Sequence, residues 1–237
     1  MKLVIDLVLV AILVLCGWAG YKKGLIMGIG GILVIVVSIY GANLLSNTFS
    51  YEVVDAMHPF ADGYMDKVIS EEVRPSLDMT DEYSVADYLQ RKPELTEDFS
   101  VRTYEALGIY EKTAEALAAE AREYRATQGG GLVDAMVDVL CLHLSYVLGF
   151  SLFFLLILIV LTVIGNLPNL SYRIPNLDSL NDIGGTVLGA LTGFFYCTLL
   201  AWALKFTGII ISQATLSDTV FAAWLIRMDI IGHFLGI

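Results

Sequence analysis

The stretch at residues 4–45, VIDLVLVAILVLCGWAGYKKGLIMGIGGILVIVVSIYGANLL, decides the fold. Two long apolar runs flank the short segment Gly20-Tyr21-Lys22-Lys23-Gly24, and an acid, Asp6, lies near the start. Apolar runs of about 17 to 25 residues match a bilayer hydrocarbon core about 30 Å thick. With no water there to bond the backbone, such runs must satisfy their own peptide groups as helices. The pattern predicts helices over residues 3–19 and 25–45, joined by a tight elbow. No Ala-x-Ala cleavage pattern follows the first run, and a second run lies directly behind it. A retained membrane hairpin is therefore expected rather than a signal peptide.

The rest of the chain divides by charge. Of 237 residues, 57% are hydrophobic, and the formal charge is −11. Mean hydropathy is +0.70, well outside the range of an ordinary soluble domain. Residues 46–137 carry 19 Asp and Glu against 8 Lys and Arg, so all of the net charge lies there. The remainder is neutral. This is the signature of a membrane body with one acidic, water-soluble insertion. It also excludes nucleic acid as a partner, because no basic stripe is present to neutralise phosphates.

The insertion is expected to be ordered and mainly helical. Ser84 is placed to cap a short helix. Residues 103–128 are rich in strong helix formers, with Leu107, Tyr110, Ala114, Leu117 and Ala121 on one face. Gly129 to Gly131 end that helix. A third membrane helix follows at residues 139–164. A polar connection with Pro168 and Pro175 comes next, then a fourth helix at residues 183–211. The tail is apolar but interrupted by Arg227, Asp229 and His233, which suits an interfacial or half-inserted helix.

The expected fold is thus an all-α integral membrane protein with about four transmembrane helices, a helical insertion between helices 2 and 3, and a C-terminal interfacial helix. Its domains are residues 1–48 (hairpin), 49–135 (acidic insertion), 136–214 (helices 3 and 4) and 215–237 (amphipathic or re-entrant tail). Lysine and arginine near helix ends set orientation. Lys22, Lys23 and Arg173 serve as topology anchors on one face, expected to be cytoplasmic. Both termini and the acidic insertion then lie outside.

Candidate functional residues follow from the same reading. Gly20, Gly24 and Gly28 recur every four residues, as do Gly185, Gly189 and Gly193. Small residues at that spacing let two backbones approach closely, within one chain or between copies. Helix breaks at such glycines also line pathways in some transporters. Asp6 is an intramembrane acid, a functional candidate by default, although an acid in a first turn also complements the helix N-terminus. Lys22 and Lys23 are expected to snorkel to the interface, where anionic lipid is a secondary contact.

Catalysis finds little support. His58, His143 and His233 are far apart, with no metal-ligand spacing, and His143 and Ser145 face different sides of a helix. No phosphate loop, nucleophile elbow or zinc-protease motif is present. Cys16, Cys141 and Cys197 all lie in apolar runs, where free cysteine is a small filler rather than half of a disulfide. No enzymatic activity, metal or cofactor is expected. The partners expected are the lipid bilayer, possible further copies of the chain through the glycine faces, and a protein on the acidic insertion.

Asp6 followed by Gly20-Tyr21-Lys22-Lys23-Gly24-Leu25-Ile26 resembles the opening of the colicin V production protein (CvpA) family of bacterial inner-membrane proteins. The stretch IPNLDSLNDIGGTVLGALTGFFYCTLL at residues 174–200, and Ser217-Asp218 in the tail, are similar to the family's second signature and its ending. The resemblance implies a four-helix inner-membrane protein with an accessory or scaffold role in bacteriocin production or export and in envelope maintenance. It carries no biochemical activity. The insertion is a departure, because the family commonly has a much shorter connection there. A small oligomeric transporter or channel, with a pathway near the glycine-rich breaks, is the competing expectation.

Overall fold

A computed structural model describes residues 2–79, 83–166, 178–206, 218–228 and 230–235, and among these residues every regular element is helical. The long helices are α1 (Lys2–Val68), α6 (Leu132–Asn166) and α7 (Asp178–Leu204). Between α1 and α6 lie a π-helical turn (Ile69–Val73), α2 (Arg74–Ser76), α3 (Val85–Arg91), a 3-10 turn (Pro93–Leu95), α4 (Thr96–Ala106) and α5 (Glu111–Gln128). The tail forms α8 (Phe221–Met228) and α9 (Ile230–Leu235). Among the described residues, three helices are long and apolar enough to cross a membrane: α1, α6 and α7.

The chain forms two compact units. One comprises Met1–Ser46, Gly149–Leu204 and Ala214–Ile237; the other comprises Asn47–Leu148 and Lys205–Gln213.

The first unit is built inside out relative to a soluble protein. Val14, Leu33, Leu152, Ile159, Ile183 and Val187 are each more than half exposed, whereas the glycines of both ladders are buried. Large apolar side chains on the outside and small residues inside suit a lipid solvent, where close helix approach replaces hydrophobic burial as the source of cohesion. Such a continuous apolar surface would be an aggregation hazard in water.

The elbow is narrower than the sequence suggests. Gly20 to Lys23 remain helical, and the break is confined to Gly24, with φ +81° and ψ 178°. That conformation favours glycine, because a Cβ would clash with the adjoining backbone. The direction of the chain across the break follows from what packs on α7. Before Gly24, Leu9 meets Cys197, Gly20 meets Gly189 and Gly185, so sequence numbers run in opposite senses. After Gly24, Gly28 meets Leu188 and Gly31 meets Thr192, so they run together. The chain therefore reverses at this residue, and both arms lie along α7.

Several boundaries differ from expectation. The second arm does not stop at residue 45 but continues as helix to Val68, through Pro59. Asn43, Ser46 and Asn47 are polar without being helix breakers, and nothing there removes a backbone bond. The expected helix over residues 103–128 is two helices. Gly108, with φ +87°, ends α4 in a Schellman arrangement: the Gly108 N–H donates to the Glu105 carbonyl, and the Ile109 N–H to the Tyr104 carbonyl (2.8 and 3.0 Å). Leu107 and Tyr110 consequently sit in the connection rather than on a helix face. Helix four begins at Asp178, five residues earlier than expected, and its far end beyond Leu204 lies outside the described residues.

In the second unit, α4 and α5 pack around Phe99, Tyr104, Leu117 and Ala121. The first half of α6 enters the same core through Leu132, Met136, Val137 and Leu140. Tyr104 is fully buried, and its hydroxyl donates to the Met136 carbonyl at 2.9 Å. Burial pushes that phenol well above its ordinary range. Ser84 caps α3, accepting from the Asp87 N–H at 3.1 Å. On the surface, Arg122 pairs with Glu97 and Arg102 with Asp98.

Candidate functional site: the glycine seam and the elbow cavity

The site begins with backbone contact. A Cβ on Gly20 would collide with the Gly185 carbonyl and with Gly189, one on Gly185 with the Gly20 carbonyl and Gly24, and one on Gly189 with the Cys16 carbonyl. Gly193 continues the line, with Cys16 Cβ 2.9 Å from where its own Cβ would stand. Gly28 faces Leu188, whose Cβ is likewise 2.9 Å away. All six ladder glycines therefore lie in a seam within one chain.

Asn181 completes the seam at the elbow. Because Gly24 is non-helical, the Leu25 N–H loses its bond to the preceding turn, and Asn181 Oδ1 accepts it at 2.9 Å. Asn181 is fully buried, and its Nδ2 has no hydrogen-bond partner among the described residues. Sequence reasoning missed this residue. The signal was available: residues 181, 185, 189 and 193 share one spacing, so Asn181 is the polar first member of the ladder.

Asp6 occupies a different place. Its carboxylate accepts from the backbone N–H groups of Val220 (2.8 Å), Phe221 (3.0 Å) and Ala222 (3.1 Å), the start of α8. Thr219 Oγ1 accepts from the Ala223 N–H at 3.0 Å and finishes the cap. The first helix thus holds the N-terminus of the tail through orphan donors that would otherwise need another partner. Ala222, Leu225 and Ile226 are buried, and Trp224 lies against Phe194 of α7. The tail is docked on its unit.

The two elbow lysines diverge. Lys22 Nζ sits 3.8 Å above the Trp18 ring, an arrangement typical of a membrane–water boundary. Lys23 lines a cavity of about 330 Å³ together with Gly20, Gly28, Gly31, Thr162 and Tyr196. Arg173 lies outside the described residues.

His58, His143 and Ser145 belong to the second unit. In the second unit, His58 Nε2 lies 3.2 Å from Asp138, and His143 Nε2 lies 3.3 Å from Glu120. The Ser145 hydroxyl donates to the Met57 sulfur at 3.1 Å rather than to a histidine. Among the described residues, no three His, Cys, Asp or Glu side chains gather as a metal set.

Fold and site together define an all-helical chain with membrane-length apolar helices held by a glycine seam. Residues 110–229, half of the chain, match the family described as colicin V production protein, and the chain belongs to that family. No curated protein and no solved structure shows a significant match. The match takes in α5, α6, α7 and α8, but not the elbow at Gly20–Gly24.

Proposed function

We propose that this chain crosses the inner membrane four times and serves as an accessory scaffold in the production or export of a peptide toxin, and in envelope maintenance. The carrying observation is the seam. Gly20, Gly24, Gly185 and Gly189 bring the first arm of α1 and the elbow into backbone contact with α7, which suits a rigid platform. Family membership supports the toxin-production context. Reversal at Gly24 supports four crossings, and Lys22 and Lys23 at the elbow support a cytoplasmic elbow with the acidic unit outside. That acidic unit offers a docking surface to a protein partner, and no catalytic step is assigned.

The test uses cells that export a peptide toxin and lack this chain. Restoring the wild type should restore toxin outside the cell. Gly189→Leu should insert in the membrane yet restore less than a tenth as much. Full restoration by Gly189→Leu would overturn the scaffold reading.

A transport reading is favoured by one observation, the cavity beside Gly20, Gly28 and Lys23. Small-solute flux through liposomes containing the purified chain would support it. Its absence would leave the scaffold.

A further inference from the structure

We propose that the elbow cavity and the apolar cavity beside it form one binding site for an anionic phospholipid, with Lys23 receiving the phosphate. The inference rests on the membrane placement of these helices and not on the export role.

Three observations converge. First, adjacent lysines have different surroundings. Lys22 is engaged by the Trp18 ring, whereas Lys23 has no carboxylate, hydrogen-bond or ring partner among the described residues. Lys23 lines a cavity together with glycine, threonine, tyrosine and apolar side chains. Second, that cavity shares part of its wall with another. Thr162 and Tyr196 also line a second cavity of about 660 Å³, walled by Phe150, Phe154, Leu158 and Trp202. Third, the two cavities lie at different levels of α7, the first beside Gly189 and Thr192 and the second beside Leu199 and Trp202. Lys23 lies at the end where Trp18 and Lys22 mark the headgroup level, and Trp202 lies further along the helix.

A free anion would leave the second cavity unused, and a neutral apolar molecule would leave Lys23 unused. A ligand with a negative head and an apolar tail matches both. Together the volumes fall in the range of ordinary ligand sites. Glycine is what opens the space: a Cβ on Gly30 or Gly165, which both line the first cavity, would meet no atom within 4 Å. These two glycines are therefore distinct from the six of the seam, where a Cβ would press on a neighbour at 3.0 Å or less.

Trp202 is a built-in reporter, since it is 3% exposed and lines the second cavity, whereas Trp18 and Trp224 are about half exposed. Trp18→Phe with Trp224→Phe leaves it as the single tryptophan of the full chain. The purified protein is placed in phosphatidylcholine nanodiscs containing a small fraction of either brominated phosphatidylglycerol or brominated phosphatidylcholine. Trp202 should be quenched by the anionic lipid at a roughly fivefold lower fraction, the scale expected of one lysine near an anionic headgroup.

Lys23→Gln and Lys23→Met, at an exposed position, should keep the helical circular dichroism signal and abolish the preference. Lys22→Gln should preserve it, and Gly165→Leu should weaken quenching by both lipids. Equal quenching by the two lipids with Lys23 intact, or a preference that survives both Lys23 variants, would overturn the site. Loss of the preference on adding inorganic phosphate would reassign it to a soluble anion. Toxin export and lipid preference are separate readouts, so either reading can fail alone.

Discussion

Asp6 illustrates how much work a single carboxylate does when its partners are two hundred residues away. Its oxygens satisfy three backbone donors at the start of α8, next to the cap supplied by Thr219. Removing an N-cap acceptor costs about 1–2 kcal/mol. Asp6→Ala should therefore loosen the tail locally, raising amide exchange at Val220–Ala222 roughly tenfold while the exchange of α7 is unchanged. Asp6→Asn, which keeps one acceptor oxygen, should lie between. No change at those three amides in Asp6→Ala would contradict the assignment. The composition of the first helix marks Asp6 as unusual, but it leaves open whether an acid there serves its own helix or another. The answer depends on a contact across 214 positions, which no periodicity encodes. Asn181 is the opposite case, since its place in the ladder register is written in the sequence.

At the scale of elements, the glycines separate into two kinds that look alike in the sequence. A Cβ on Gly20, Gly185 or Gly189 would strike backbone, whereas one on Gly30 or Gly165 would meet open space. Gly185→Ala and Gly189→Ala must push two helices apart, and overpacking of this kind costs about 1–3 kcal/mol. Gly30→Ala meets nothing and removes backbone freedom from a helix, for a gain of up to about 1 kcal/mol. Titration of the purified protein in mixed micelles with sodium dodecyl sulfate, followed by loss of tertiary signal, should move the midpoint down for the first pair and level or up for Gly30→Ala. Equal losses for all three would contradict the seam. The spacing of four identifies both ladders, yet it cannot assign partners. Helix ends were harder still. The helix running on past residue 45 and the break at Gly108 both depend on local backbone chemistry, and Leu107-Gly108 carried a stop signal masked by helix-forming neighbours. Ser84, by contrast, was read correctly because an N-cap is a local device.

For the whole molecule, hydropathy and charge divide the chain into an apolar body and an acidic part, but they do not fix where along the sequence one passes into the other. The expected third span opens at residue 139, but Val139, Leu140 and Cys141 are buried in the core of the acidic unit. Large outward side chains and a small-residue interior are the physical case for lipid as the solvent of the other unit. The family match covers the second half of the membrane body and the last helix of the insertion, so the elbow stands on its own geometry.

The central claim is that Gly24 turns the chain back through the membrane. In a background with Cys16, Cys141 and Cys197 replaced by serine, single cysteines at Lys2, Lys22 and Tyr51 can be labelled in intact cells by a membrane-impermeant thiol reagent. Reversal at Gly24 predicts that Lys2→Cys and Tyr51→Cys label alike, and that Lys22→Cys labels only after the membrane is opened. Labelling of Lys2→Cys and Tyr51→Cys from opposite sides would mean one uninterrupted crossing, and would contradict the account.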